Sequence, residues 1–136
     1  MERHIENTMH VDKYLHNHDQ VIWVNYAGLP EDRYHAIANK ICAGKPSAII
    51  SFGIEGGEGA GIKFIDALNM IKRLVNIGDE KTLACHSAST TQRQLGNEEL
   101  KLADVSADPV RISVGIEHCD DIIADIDQAL AATKAP

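Results

Sequence analysis

The chain has 136 residues, of which 44% are hydrophobic and 24% are charged, as in an ordinary globular domain. This length and composition exclude a collagen-like or low-complexity chain and predict one domain, or part of a larger one, with a sizeable core. The net charge of −7 disfavours nonspecific binding to nucleic-acid phosphates. No apolar run approaches the roughly 20 residues that cross a bilayer, so we expect no membrane span. The three cysteines are odd in number and far apart, which favours a cytoplasmic protein.

The spacing of apolar residues predicts helices and strands in alternation. A period of about 3.6 residues marks a helix, and a period of two or a short β-branched run marks a strand. The predicted elements are, in chain order, a helix over residues 1–18, a strand over 21–26, a helix over 31–41, a strand over 48–53, a helix over 60–71, a strand over 82–85, a short helix over 97–103, a strand over 110–114 and a helix over 120–130.

These elements predict an α+β fold in which helices pack on a small, mainly antiparallel sheet of four strands. The last strand favours antiparallel pairing, because Val110, Ile112 and Val114 alternate with Arg111 and Ser113. Such alternation is typical of a strand with one buried face and one freer face. The order of the elements alone leaves parallel pairing, and with it an α/β arrangement, open.

Three motifs are interpreted as structural. Residues 53–58 join a strand to a helix, where phosphate-binding loops lie, but Glu55 and Glu58 would repel a phosphate and a tight turn is favoured. The seven histidines include no HExxH pair, so we predict no metal site. Cys85 beside His86 lacks the setting of a nucleophile and is interpreted as a small buried residue at a strand end.

Arg111 is the most informative single residue, because it projects from the polar face of the last strand. One interpretation is a surface arginine that pairs with a neighbouring carboxylate. The functional interpretation is a planar guanidinium fork that binds a ligand carboxylate through two parallel hydrogen bonds. A rigid strand would hold such a fork well.

Three separated stretches of sequence point to a family. They run over residues 51–57, over 76–91 and over 111–125, and residues 24–35 agree with them. In this order and spacing they resemble the C-terminal domain of the Cys/Met-metabolism enzymes that depend on pyridoxal phosphate, and within that family the O-acetylhomoserine sulfhydrylases. The resemblance covers nearly the whole chain, but only the last third or so of such an enzyme.

The resemblance implies an aminotransferase-like fold, a homotetramer and a reaction that replaces the acetyl group of O-acetylhomoserine with sulfide. It implies that residues 1–18 are the end of an interdomain helix and residues 19–136 the C-terminal, substrate-side domain. The N-terminal domain, which holds pyridoxal phosphate on a lysine, would be absent. No lysine here stands in the Ser/Thr-x-x-Lys setting of that site, so we expect the isolated chain to bind no cofactor and to be inactive.

The resemblance also implies roles for individual residues. Arg111 would bind the α-carboxylate of the substrate. Asn76 and Ile77 would lie in a turn beside the substrate and the cofactor. No catalytic residue and no metal ligand is expected in this chain. The loop residues near the active site would be Ser89, Thr90 and Thr91.

Two departures and several alternatives accompany this interpretation. Ser87 replaces the proline, and Gln92 the second histidine, of the His-Pro-Ala-Ser-Thr-Thr-His sequence usual in these enzymes. Loss of the proline would loosen the loop. Cystathionine γ-synthase, cystathionine β-lyase and methionine γ-lyase share the arginine and the fold, so this domain discriminates them poorly. A non-enzymatic α+β module that binds an amino acid or mediates assembly is also compatible with the pattern.

Overall fold

The computed structural model describes residues 1–86 and 109–134. The predicted short helix over 97–103 and the residues Ser87, Ser89, Thr90, Thr91 and Gln92 lie outside this described part. The helices are α1 (Glu2–His16), α2 (His35–Cys42), α3 (Gly57–Ala67) and α4 (Cys119–Thr133), and the strands are β1 (Val21–Asn25), β2 (Ile49–Ile54), β3 (Lys72–Arg73), β4 (Leu83–His86) and β5 (Pro109–Ser113).

The described strands form one sheet in the order β1-β2-β5-β4-β3. The pairs β1–β2, β2–β5 and β4–β5 are antiparallel, which confirms the predicted α+β fold with a mainly antiparallel sheet. The predicted count of four strands is wrong, because β3 is a fifth strand that pairs in parallel with β4. Only Lys72 and Arg73 form it, and two residues are too few to show a period.

The helix predicted over residues 60–71 ends at Ala67, because a distant side chain binds the residues that follow. Leu68 is in extended conformation. The Asp125 carboxylate of α4 then accepts the backbone N–H groups of residues 69–71 at 2.8–2.9 Å. These three N–H groups therefore bind Asp125 instead of helical carbonyl groups, and the local sequence does not reveal this partner. After them the chain turns into β3.

The core lies between one face of the sheet and the helices α1, α3 and α4. Phe52, Val110 and Ile112 are fully buried, and the Phe52 ring meets the Phe64 ring of α3 edge to face at 5.7 Å between centroids. The predicted alternation along β5 is confirmed for its apolar face, whereas Arg111 on the other face is half-buried. No helix in the described residues combines the length and the apolar character that crossing a membrane requires.

Helices α1 and α2 differ in how many of their apolar side chains are buried. The weak apolar pattern of the first predicted helix suggests an exposed element, yet Val11 and Leu15 of α1 are fully buried. By contrast, α2 has a clear apolar stripe, but it buries no residue, and Ile37 and Ile41 are 55% and 75% exposed. The described residues therefore do not cover the apolar side of α2.

Candidate functional site

The freer face of the sheet presents a row of side chains centred on Arg111. In the register, Arg111 of β5 lies between Ser51 of β2 and Cys85 of β4. Ser51 pairs in turn with Asn25 of β1. Residues directly opposite one another on antiparallel strands place their side chains on the same face. Arg111 therefore stands in the middle of this face, with strands on both sides to fix its position.

Among the described residues, the Arg111 side chain makes one hydrogen bond and has a buried donor without a partner. Its Nη2 donates to the carbonyl oxygen of Val75. Its Nε is buried and has no partner among the described residues. None of the ion pairs in the described part of the chain involves this guanidinium. Since a guanidinium offers five N–H donors in a planar fork, donors remain for two parallel bonds to a carboxylate.

Two hydrogen bonds hold residues 75–78 against β5. One is the bond from Arg111 to the Val75 carbonyl, and in the other Gly78 N–H donates to Ser113 Oγ at 3.1 Å. Asn76 and Ile77 lie between these two points and are both exposed. The structure thus brings together the three residues, Arg111, Asn76 and Ile77, that the resemblance names as substrate-binding positions.

Gly115 and Glu117 fix the chain at Thr82, which follows residues 75–78. The Glu117 carboxylate accepts the backbone N–H and the hydroxyl of Thr82 at 2.7 and 2.8 Å, and Gly115 N–H donates to the Thr82 hydroxyl at 2.9 Å. A Cβ on Gly115 would lie 2.4 Å from the carbonyl oxygen of Glu80, so glycine is required by close approach. The Arg-x-Ser-x-Gly-x-Glu spacing therefore anchors residues 75–82 at successive points.

Helix α1 is joined to the same region by a residue that sequence reasoning missed. The Asn7 side-chain amide donates to the carbonyl oxygens of Gly115 and Glu117 at 3.0 and 2.8 Å. His4 Nε2 lies 3.0 Å from the carbonyl oxygen of Asp79. A polar residue on the apolar side of a predicted helix is the one signal that could have revealed Asn7. The anchored segment is thereby held from β5 and from α1.

Two other predicted or possible sites are explained as structure. Gly56 and Gly57, which lead into α3, have positive φ values of 102° and 66°, which agrees with a tight turn. His118, Cys119 and Asp120 bring three possible metal ligands within 4.8 Å of one another. This group was not predicted, and it lies at the positive N-terminal end of α4, which disfavours a cation. His118 Nδ1 there accepts the backbone N–H of Asp120 at 3.3 Å and caps the helix.

An α+β domain with an anchored, half-buried guanidinium fork on the side of its sheet opposite the core is suited to binding a small carboxylate. The comparison with known families makes this more specific. The chain belongs to the Cys/Met metabolism PLP-dependent enzyme family, whose model matches residues 1–131. This confirms the family that the resemblance predicts.

The relatives and a solved structure agree with that family. The chain is 49% identical to O-acetyl-L-homoserine sulfhydrylase 1 of Thermus thermophilus and 45% identical to homocysteine synthase of Schizosaccharomyces pombe, each over 96% of this chain. It matches a structure from Campylobacter jejuni described as an O-acetylhomoserine (thiol)-lyase, with a TM-score of 0.88 and 34% identity over 96% of this chain. That structure contains a pyridoxyl-lysine.

The chain spans about a third of the length of these relatives. The matched share is 31% of the Thermus protein, 30% of the Schizosaccharomyces protein and 31% of the Campylobacter chain. The comparisons therefore confirm the family and the fold. They do not confirm the predicted position at the C-terminal end of the enzyme.

The described residues do not by themselves fit pyridoxal phosphate. The cofactor requires an enclosed lysine for its aldehyde and donors for its phosphate. Every lysine in the described part of the chain is exposed. The glycine-rich turn before α3 carries the exposed Glu55 and Glu58, whose charges would oppose a phosphate. The chemistry that these residues do support is binding of a carboxylate at Arg111.

Proposed function

We propose that this chain is the C-terminal, substrate-side third of a pyridoxal-phosphate-dependent enzyme that converts O-acetylhomoserine and sulfide to homocysteine and acetate. The observation that carries the proposal is the Arg111 guanidinium, whose buried Nε has no hydrogen-bond partner among the described residues. It lies beside residues 75–78, which hydrogen bonds hold against β5. The names of the relatives from Thermus and Schizosaccharomyces support this reaction. Pyridoxal phosphate would supply the electron sink for the substrate carbanion.

Arg111 would hold the α-carboxylate of O-acetylhomoserine through two parallel hydrogen bonds. Such a pair fixes the rotation of the substrate about its Cα, because both carboxylate oxygens are bound to one rigid plane. The bond from Nη2 to the Val75 carbonyl keeps the guanidinium plane oriented before the substrate arrives. Arg111 is therefore assigned binding and orientation, and no proton transfer.

Asn76 and Ile77 would form the wall of the site beside Arg111. Both are exposed, and hydrogen bonds hold the chain on either side of them. We assign the Asn76 backbone a role in orienting the carboxylate and Ile77 a contact with the aliphatic part of the substrate. Ser89, Thr90 and Thr91 remain predicted neighbours of the site.

The proposed enzyme would also contain an N-terminal domain that holds the cofactor and its lysine, and it would be a cytoplasmic homo-oligomer. Exposed apolar side chains support the presence of this N-terminal domain and of other subunits. Tyr34, Ile37 and Ile41 lie on or beside α2, and Leu74 and Ile77 lie near Arg111, all at least half exposed. Grouped apolar side chains of this kind mark surfaces that meet another protein body. The isolated chain is expected to be inactive.

A chimera with the Thermus relative tests this proposal. The chain replaces the matched third of that enzyme, and homocysteine formation from O-acetylhomoserine and sulfide is measured. We expect the chimera to be active when this chain forms the C-terminal third of the enzyme. The substitution Arg111→Gln should lower that activity at least 100-fold. The exposed Arg73, which pairs with Asp66, supplies the matched control Arg73→Gln and should leave activity unchanged.

Four outcomes would contradict the proposal. A chimera that is active only with this chain at the N-terminal end would overturn the placement. A chimera that uses cysteine but not sulfide would favour cystathionine γ-synthase, and one that instead cleaves cystathionine or methionine would favour the lyases. Saturable binding of homoserine to the isolated chain without cofactor, abolished in Arg111→Gln, together with an inactive chimera, would favour a non-enzymatic binding module.

A further inference from the structure

A second group of buried polar atoms lies between α1 and the turn that follows β1. Asp12 of α1 is 5% exposed and Tyr26 is 2% exposed. Asp12 Oδ1 and the Tyr26 hydroxyl have no hydrogen-bond partner among the described residues. Buried carboxylates and hydroxyls in folded proteins are nearly always hydrogen-bonded, because leaving them unbonded costs free energy. Two such atoms on neighbouring elements therefore indicate a site for a ligand.

Asp12 and Tyr26 are both among the residues that line one cavity, which has a volume of about 340 Å³. A cavity of this size holds a small organic molecule. Its walls combine apolar surface with groups that carry charge. The other lining residues are Met9, Lys13, His16, Asn17, Gly28, Leu29, Pro30 and Glu31.

The electrostatics of the cavity favour a cation. Burial raises the pKa of Asp12 to about 6, with a smaller lowering by His16 and a smaller rise from Glu31. Burial, together with the Asp12 charge, raises the pKa of Tyr26 to about 12. Above about pH 6 the cavity therefore contains a buried carboxylate that faces Glu31, with His16 and Lys13 on the same helix at the cavity wall. A bound positive charge would offset the cost of burying Asp12 in its ionised form.

The Tyr26 ring is held in place by the turn. A Cβ on Gly28 would lie 2.3 Å from a ring carbon of Tyr26, so the ring packs directly on the Gly28 backbone. The hydroxyl is thus fixed by packing and does not depend on a ligand for its position. An aromatic ring beside a carboxylate is a suitable environment for an ammonium group, which both attract.

We propose that this cavity binds an organic ammonium ion, namely the protonated amine of a small molecule with a short aliphatic body. The ammonium would donate hydrogen bonds to Asp12 Oδ1 and to the Tyr26 hydroxyl oxygen. Met9 and Leu29 would contact the aliphatic carbons. A bare divalent metal ion fits less well, because apolar side chains occupy much of the wall. The site is separate from the Arg111 site and does not depend on the proposed reaction.

Titration of the 136-residue chain with n-butylammonium chloride tests the proposal, with n-butanol as the neutral control. Backbone amide shifts of residues 9–17 and 26–31 are followed by NMR. We expect saturable shifts with the ammonium ion only, and binding about tenfold tighter at pH 7.5 than at pH 5, since the carboxylate is mostly protonated at the lower pH. Equal shifts with n-butanol, or affinity that does not change between these pH values, would overturn the proposal.

Substitutions test the named atoms. Asp12→Asn removes the charge at nearly constant volume and should weaken n-butylammonium binding at least tenfold at pH 7.5. The matched control is Asp19→Asn, which changes an exposed carboxylate outside the cavity and should bind like the wild type. Tyr26→Phe should weaken binding severalfold, and it carries the test if Asp12→Asn does not fold. Unchanged binding in folded Asp12→Asn would overturn the proposal.

The same spectra distinguish a small molecule from a lysine of another copy of the chain. With a small-molecule site, the amide positions without added ligand are independent of protein concentration. Shifts of residues 26–31 that grow with protein concentration, and that n-butylammonium reverses, would assign the ammonium group to a second chain and overturn the small-molecule proposal.

Discussion

Asp125 of α4 and Asp12 of α1 are buried carboxylates with opposite surroundings. They are 6% and 5% exposed, and their two helices pack against each other. Asp125 accepts three backbone N–H groups, whereas Asp12 Oδ1 accepts no hydrogen bond from the described residues. The first carboxylate stabilises the turn into β3. The second costs free energy in the folded chain, which a ligand could recover. Hydrogen bonding, and not burial, therefore separates a structural carboxylate from a candidate binding group.

The region of Arg111 contains both kinds of polar group, those with hydrogen-bond partners and one without a described partner. Glu117 and Ser113 resemble Asp125, because their oxygens accept hydrogen bonds that anchor residues 75–82. Arg111 resembles Asp12, because its buried Nε has no described partner. In the proposed function, anchored neighbours around one unsatisfied group would form a preorganised site, in which Arg111 would not have to be ordered by its ligand.

The largest effect is expected from Asp125→Asn. The new amide keeps one acceptor oxygen, but its NH2 group faces at least one of the three backbone donors and the negative charge is lost. The variant should therefore lose about 3 kcal/mol in its free energy of unfolding. Urea denaturation at pH 7.5 measures this change. Asp121→Asn on the same helix is the control, and it should cost about 0.5 kcal/mol or less, because Asp121 is exposed. Equal losses of stability in the two variants would contradict the structural role assigned to the hydrogen bonds of Asp125.

A smaller loss is expected from Glu117→Gln. One of the two bonds to Thr82 would lose its acceptor, so we expect a cost of about 1–2 kcal/mol in the same urea experiment. Thr82→Val removes the hydroxyl partner. A double-mutant cycle should give a coupling of about 1 kcal/mol. Strictly additive effects would mean that Glu117 does not act through Thr82.

The smallest effect, with the opposite sign, is expected from Asp12→Asn. The pKa of Asp12 is raised from 3.8 to about 6, so the folded state binds more protons than the unfolded state between these values. Stability of the wild type therefore falls as the pH rises through this window and stays low above it. The variant should be more stable by about 1 kcal/mol at pH 7.5, and the difference should vanish near pH 3.5.

Denaturation curves at a series of pH values measure this difference. Asp19→Asn again serves as the control and should show no difference that depends on pH in this window. A wild type that is more stable than Asp12→Asn at pH 7.5 would show that the carboxylate is already satisfied in the folded chain.

Much of the fold could be predicted from sequence, because apolar periods report local burial. Alternation along β5 gave both the antiparallel sheet and the outward position of Arg111. The strand β3 was missed because its two residues depend on pairing with β4, and the end of α3 was misplaced because Asp125 binds residues 69–71. Long-range hydrogen bonds of this kind leave no period in the sequence.

The candidate site was predictable only in part, for the same reason. Arg111, Asn76 and Ile77 could be named through a family resemblance, but the contacts that hold them together could not. Ser113 and Thr82 act through partners that are distant in the chain. Asp12 was hidden because an acidic residue on a weakly amphipathic helix is ordinarily a solvated one, and only the structure shows that it is buried.

The most direct test of the central claim, that the Arg111 fork receives a substrate carboxylate, is the discrimination between O-acetylhomoserine and its carboxamide. In the Thermus chimera, we expect kcat/KM to favour the carboxylate substrate at least 100-fold. Arg111→Lys, which keeps the charge but loses the fork, should reduce this preference at least tenfold, mainly through a higher KM for O-acetylhomoserine. An unchanged preference in Arg111→Lys would contradict the claim.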